Sequence, residues 1–211
     1  MKNFDLSLYL VLDPVLSADI GMIETARAAV AGGATIVQLR DKHASTTTMI
    51  ETGLALRQVL AGSGARLIIN DDVEAAIAVG ADGLHIGQED LNAQDARRMI
   101  GPDMILGLSV ETEALASAID AEIVDYAGIG PVFATPTKPD HKQPIGFDGL
   151  ARIIELCPVP TVAIGGLKAK HVAEALTAGA DGVAMVSAIC GQPDPMAATI
   201  LIANAIKEAR K

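Results

Sequence analysis

The chain has 211 residues, 50% of them hydrophobic and 20% charged, with a formal net charge of −10. Such a chain can bury one large core and leaves no room for a long disordered segment. Aromatics are 2% and Trp is absent, so neither a base-stacking platform nor a general binder of nucleic acid or anionic membrane is expected.

Local cations or a metal can still dominate one pocket, because surface charges beyond roughly 8 Å are screened. The two cysteines, Cys157 and Cys190, lack metal-ligand spacing and read as unpaired thiols. The N-terminal stretch "MKNFDLSLYLVLD" carries an acid and no signal-peptide pattern. No apolar run reaches the ~18 residues of a membrane helix. A cytoplasmic protein is the expectation.

In chain order, eight short apolar runs read as strands: 8–13, 35–41, 66–71, 83–87, 104–109, 126–130, 161–165 and 182–187. Each ends in Gly or polar residues, as buried parallel strands do. Between them lie Ala-rich segments such as "IETARAAVAGG" with apolar spacing near the helical period. A weak repeat runs through "AGGATIV" (31–37), "VGADGLH" (79–85) and "AGADGVA" (178–184): a helix ends at Gly and a strand begins. Repeated βα units without a change of composition predict an α/β fold, a single (β/α)8 TIM barrel over 1–211. A doubly wound open sheet is the alternative. It is disfavoured because no G-x-G-x-x-G follows the first strand.

In a barrel, chemistry gathers at the C-terminal ends of the strands. The second strand ends Gln38-Leu39-Arg40-Asp41-Lys42, and alternation puts Gln38, Arg40 and Lys42 on one face. They suit an anionic ligand; the bland alternative pairs Arg40 with Asp41 and leaves Lys42 solvated. The third strand ends Asn70-Asp71-Asp72, and the fourth carries His85 and runs into Asp90. Carboxylates at adjacent strand ends can converge on a hard cation such as Mg²⁺, which takes one or two protein carboxylates plus water and phosphate. The alternative for Asp72 and Asp90 is helix N-capping, and for His85 a satisfied structural histidine. The fifth strand ends at Ser109. A long excursion, 131–146, follows the sixth and carries Thr135, Thr137 and Lys138; such loops are often lids or binding loops. The last two strands end in Gly165-Gly166 and Val186-Ser187. Small residues there let backbone N–H groups approach a phosphate. These groups together predict a barrel enzyme handling phosphorylated substrates with Mg²⁺.

The segments "VQLRDK", "IINDD", "ADGLHIGQEDL", "GLSVET", "GIGPVFATPTK", "VAIGGL" and "ADGVAMVSAI", in this order, resemble the thiamine phosphate synthases, also called thiamine-phosphate pyrophosphorylases. The resemblance spans the second strand to the eighth. It implies condensation of 4-amino-5-hydroxymethyl-2-methylpyrimidine diphosphate with 4-methyl-5-(2-phosphoethyl)thiazole, giving thiamine phosphate and pyrophosphate with Mg²⁺. It implies Asp71 and Asp90 on the metal, and Arg40, Lys42, Asn70, Ser109 and Lys138 around the diphosphate. Gln38 would then meet the pyrimidine, and Thr135, Thr137, Gly166, Val186 and Ser187 the thiazole phosphate. Arg40, Lys42, Ser109 and Lys138 would carry catalysis. The family's step is regarded as dissociative, with diphosphate leaving before the thiazole nitrogen attacks. One departure stands out: many members carry a His just after the strand-five serine, and here the stretch reads Ser109-Val110-Glu111-Thr112.

Three rival readings remain at this level. A thiazole tautomerase of the same superfamily would share the phosphate cradle but needs that missing His and not the diphosphate groups. A phosphosugar isomerase or epimerase would explain the cradle but not the Asp71/Asp90 pair. A thiamine-phosphate sensor would bind without turnover. The expected partners are small molecules, and the sequence is compatible with a homo-oligomer.

Overall fold

A computed structural model describes residues 2, 4–135 and 143–211. Eight strands form one closed, all-parallel barrel in the order β1 to β8: Leu8–Leu12, Ile36–Leu39, Arg66–Asn70, Gly83–Ile86, Ile105–Val110, Tyr126–Ile129, Thr161–Ala163 and Gly182–Met185. Helices α1 to α8 follow the strands in turn: Met22–Ala31, Thr46–Leu60, Val73–Val79, Ala93–Ile100, Glu113–Ser117, Gly146–Glu155, Val172–Thr177 and Pro195–Ala209. All eight expected strands are present. Seven stop one or two residues before the expected end, and β5 runs one further, to Val110. Apart from Ile164 and Val186, the missing residues are polar or glycine positions at the mouth, where ladder pairing stops.

Alternation divides the core into two layers. Leu8, Leu10 and Leu12 of β1, Val37 and Leu39 of β2, and Leu67 and Ile69 of β3 pack outward against the helices. Tyr9, Val11, Ile36, Ile68, Ile105, Tyr126, Val162 and Ala184 fill the barrel interior. The same parity carries Gln38, Asn70, His85 and Ser109 inward, above that apolar plug. The register sets Val11 beside Gln38, Asn70 beside His85, and Ser109 beside Gly128. The polar strand ends therefore converge because each lies an even number of residues from an interior apolar one.

The internal repeat has a physical counterpart at the opposite end, the foot of the barrel. The side chain of the residue just before each even-numbered strand accepts the first or second N–H of the strand before it. Thr35 Oγ1 accepts from Leu8 N (3.2 Å), Asp82 from Leu67 N (2.8 Å), Asp125 from Leu106 N (2.8 Å) and Asp181 from Thr161 N (2.7 Å). These N–H groups lie at the strand starts, where a buried donor needs an acceptor. Asp125 also binds Arg97 (2.6 Å) and Lys2 (2.7 Å). The "GAD" units are thus staples between neighbouring strands as well as helix-to-strand turns. No described helix is long and apolar enough to cross a membrane.

Candidate active site

One pocket opens at the mouth. It is lined by every described residue that the sequence singled out: Gln38, Arg40, Lys42, Asn70, Asp71, Asp90, Ser109, Thr135, Gly166, Val186 and Ser187. Thr137 and Lys138 lie outside the described residues, as does 136–142 of the long excursion. Both ends of that excursion are pinned. Val132 and Phe133 donate their N–H groups to Ile164 and Gly165 carbonyls (2.9 and 3.0 Å), and Ile145 and Gly146 donate to Pro131 and Val132 (3.0 Å each). Thr135 is thereby held beside the glycine turn after β7.

The adjacent acids Asp71 and Asp72 do separate things. Asp72 caps α3, its carboxylate accepting from Ala75 N at 2.8 Å. Asp71 adopts a left-handed backbone, φ 64°, the sole such non-glycine residue among those described. Asp tolerates that region better than most residues. The turn aims Asp71 at the mouth while its own N–H still bonds the His85 carbonyl at 2.8 Å. Asp90 is not a helix cap: Asn92 caps α4, and Asp90 instead accepts the Gly87 N–H at 2.7 Å across the β4 loop.

Asp71 and Asp90 lie within hydrogen-bonding reach of each other. Burial pushes the Asp71 carboxyl up, the bond to Asp90 pushes it further, and Lys42 pulls it partly back. Burial also works to raise Asp90, but the bond from Asp71, the Gly87 N–H and the Lys42 charge outweigh it and hold Asp90 below the ordinary range. Of the two, Asp71 is the acid whose ionised form its surroundings disfavour. Lys42 Nζ sits 3.0 Å from Asp71 Oδ2, so it is engaged rather than merely solvated. Arg40 does not pair with Asp41, whose carboxylate accepts the N–H groups of His43 and Ala44 (3.0 and 3.2 Å). Arg40 forms no ion pair among the described residues and faces the pocket.

Across the mouth, the turn after β7 needs glycine. Gly165 and Gly166 have φ 102° and 65°. A Cβ on Gly166 would stand 2.8 Å from Phe133 Cβ and 2.9 Å from the Ala134 carbonyl oxygen. After β8, the Val186 carbonyl accepts from Ile189 and Cys190 N–H (2.9 and 2.8 Å), and Gln192 holds the Ser187 carbonyl at 2.8 Å. That helical turn leaves the N–H groups of Ser187 and Ala188 at its start, where helix geometry assigns them no internal acceptor.

Sequence reasoning named Gln38, His85 and Ser109 but missed the two tyrosines that join them in the pocket floor. Tyr9 and Tyr126, the two tyrosines of the chain, meet inside the barrel, hydroxyl to hydroxyl at 2.7 Å. Gln38 Nε2 donates to the Tyr9 hydroxyl at 2.7 Å. His85 bonds Tyr126 through Nδ1 and Ser109 Oγ through Nε2, each at 2.9 Å. His85 is therefore satisfied, as its structural reading expected, and is also joined to the site. Two lone phenols in apolar strands at inward parity are the signal that could have found this floor. The imidazole beside Ser109 comes from the neighbouring strand, not from the residues after the serine. Glu111 occupies that region and lines the pocket, as does Asp13 at the end of β1.

The family model described as thiamine monophosphate synthase matches residues 8–189. A thiamine-phosphate synthase of Xanthobacter autotrophicus is 50% identical over 99% of both chains. One from a Psychrobacter species is 48% identical over 94% of this chain and 95% of its own. The solved structure of a thiamine phosphate pyrophosphorylase from Pyrococcus furiosus superposes with a TM-score of 0.89 at 36% identity, covering 98% of each chain. A 3-hexulose-6-phosphate synthase, at 19% identity and a TM-score of 0.67, shares the fold alone. The chain belongs to the thiamine monophosphate synthase family.

Proposed function

We propose that this chain is a cytoplasmic, Mg²⁺-dependent transferase that joins 4-amino-5-hydroxymethyl-2-methylpyrimidine diphosphate to 4-methyl-5-(2-phosphoethyl)thiazole, releasing pyrophosphate and thiamine phosphate. The observation that carries this reading is the division of one mouth into two anion-seeking halves. Asp71, Asp90, Lys42, Arg40 and Asn70 form one; Thr135, Gly166 and Ser187 form the other. The buried polar floor lies between them.

The Asp71/Asp90 pair fits a hard divalent cation. Both donors are carboxylate oxygens, and burial beside a second carboxyl raises Asp71, a shift that a bound cation would relieve. Among the described residues no group of three or more His, Cys, Asp and Glu could hold a metal. Two carboxylates are what Mg²⁺ typically takes when substrate phosphate and water complete its shell. Bound there, Mg²⁺ supplies charge neutralisation to diphosphate oxygens.

The chain's own residues then do three things. Arg40, Lys42 and Asn70 hold the leaving diphosphate, with Lys138 of the long excursion joining them. A unit charge pair at about 4 Å is worth ~4 kcal/mol at an effective dielectric of 20, so Arg40 and Lys42, both lining the mouth, favour departure of the diphosphate. Gln38 orients the pyrimidine end at the floor, and Ser109 beside it faces the diphosphate. Thr135, Thr137, Gly166, Val186 and Ser187 grip the thiazole phosphate and position its ring nitrogen for attack. No strong general base is required.

The test is incubation with both substrates and Mg²⁺. Pyrophosphate and thiamine phosphate should appear in equal amounts. Isomerisation of the thiazole phosphate without pyrophosphate release would replace this reading with a tautomerase.

A further inference from the structure

Hydrogen bonds beneath the mouth link Gln38–Tyr9–Tyr126–His85–Ser109 in a chain drawn from strands β2, β1, β6, β4 and β5. Four of its five members are buried: Tyr126 is 0% exposed, Tyr9 1%, Gln38 4% and His85 9%. The room for it is built in. A Cβ on Gly107 would lie 2.2 Å from Tyr126 Cζ, so only glycine leaves space for that ring. Burial pushes both phenols well above their ordinary range, so each keeps its single proton.

Counting donors gives the chain a direction. Gln38 Nε2 can only donate, so Tyr9 oxygen accepts and the Tyr9 proton must go to Tyr126. The Tyr126 proton then has one acceptor left, His85 Nδ1. Nδ1 is therefore bare, and the proton of the neutral imidazole sits on Nε2, donated to Ser109 Oγ. A doubly protonated ring would leave the Tyr126 proton buried without an acceptor, which is disfavoured. Reversing the Gln38 amide would reverse every bond, ending with the Ser109 proton consumed by His85. That sense would turn Ser109 lone pairs toward an anionic ligand.

We infer that this relay makes His85, Tyr126 and Tyr9 positioning residues: it locks His85 as the Nε2–H tautomer and so reserves the Ser109 hydroxyl proton as a donor to the bound ligand. Gln38, its amide nitrogen turned to Tyr9, correspondingly presents its carbonyl oxygen to a ligand donor. The floor is thereby polarised: an N–H donor such as a ring amino group is read at Gln38, and an acceptor is read at Ser109. Which ligand supplies these atoms rests on the proposed function, and so does the choice of this sense of the relay over its reverse.

Two measurements separate the ideas. Two-bond ¹H–¹⁵N correlation of ¹⁵N-histidine protein without ligand reports the tautomer, with the His85 signals assigned by their loss in His85→Gln. The Nε2–H form is expected in the parent protein. Gln38→Glu, acceptor-only when ionised, should invert it at pH 8 to Nδ1–H. An Nδ1–H ring in the parent, or a tautomer indifferent to Gln38→Glu, would overturn the relay. In kinetics, Ser109→Ala should slow turnover ~10²-fold. Tyr126→Phe should slow it about tenfold, the worth of one hydrogen bond, with both KM values within about twofold. The double variant should be no slower than Ser109→Ala, because one effect acts through the other. Additive losses would reduce Tyr126 to packing. A parent protein that shows the Nε2–H ring yet releases no pyrophosphate would sink the proposed function and leave the relay standing.

Discussion

At the foot of the barrel, Asp82, Asp125 and Asp181 each accept a backbone N–H, and Asp82 and Asp125 also meet arginine. At the mouth, Asp71 and Asp90 face each other, and one of them sits on a left-handed backbone. Acids at the foot meet only donors. At the mouth Asp71 has Lys42 and Asp90 has the Gly87 N–H, yet each carboxyl also faces the other. That contrast marks the functional end without reference to any ligand, because facing acids and backbone strain persist only where surrounding structure enforces them.

The sharpest way to break this contrast is to neutralise the mouth. Asp71→Asn and Asp90→Asn should each lower turnover by ~10²–10³-fold, as expected when electrostatic stabilisation of a leaving group is removed. Asn suits position 71 because it tolerates positive φ, whereas Ala would add backbone strain. Turnover within a few-fold of the parent in either variant, at saturating substrates, would remove that acid from the chemistry.

The next largest effect should come from the foot. Asp125→Ala removes the carboxylate that Arg97 and Lys2 share and strands the Leu106 N–H. The expected loss is about 3 kcal/mol, or a fall in Tm of ~6–12 °C for a chain of this size. Turnover of the folded enzyme should stay within about twofold, since the ends are distant and share no partner. Thermal melts and kinetics on one preparation check both halves.

A smaller, opposite shift is expected for Asp71→Asn in metal-free protein. Ionising Asp71 at neutral pH is disfavoured by burial and by Asp90. Removing that carboxylate should raise Tm by ~2–4 °C, about 1 kcal/mol, offset in part by the half-exposed Lys42 pair, worth ~0–1 kcal/mol. The pH dependence has a definite sign. A folded-state acid held above its ordinary value favours folding at low pH, and that contribution is lost as pH rises through the raised value. The advantage of the Asn variant should therefore shrink as pH falls, and vanish below about 4, where Asp71 is protonated in both states. An advantage that grows on acidification would contradict a raised Asp71 carboxyl.

The smallest effect should come from Thr35→Val, which removes the neutral staple on Leu8 N. A loss of about 1 kcal/mol with unchanged turnover is expected from melts and kinetics. A loss as large as that of Asp125→Ala would mean charge contributes little at the foot.

Much of this was legible in the sequence because buried parallel strands are short apolar runs, and a barrel places their polar ends at one mouth. Gln38, Arg40 and Lys42 could be assigned to a face by counting, and Asp72 could be read as the α3 cap. Less was legible where local and distant partners compete. Asp41 looked like a neighbour for Arg40 but is taken by the turn that follows it. Asp90 looked like a cap, yet Asn92, two residues on, has that role. Lys42 meets Asp71 from another strand, a contact that no spacing reveals. The floor was hidden most thoroughly. Residues 9, 38, 85, 109 and 126 are brought together only by closure of the barrel, and each alone reads as a polar residue in an apolar strand.

The central claim is that Asp71 and Asp90 await a cation that serves a departing diphosphate. It is tested most directly by measuring pyrophosphate release against Mg²⁺ concentration in the parent enzyme and in Asp71→Asn, with both substrates saturating. Saturable Mg²⁺ activation is predicted in the parent, abolished by chelator, together with a variant that is slower and needs far more Mg²⁺. Equal Mg²⁺ dependence in the two proteins, or undiminished release in the presence of chelator, would contradict it.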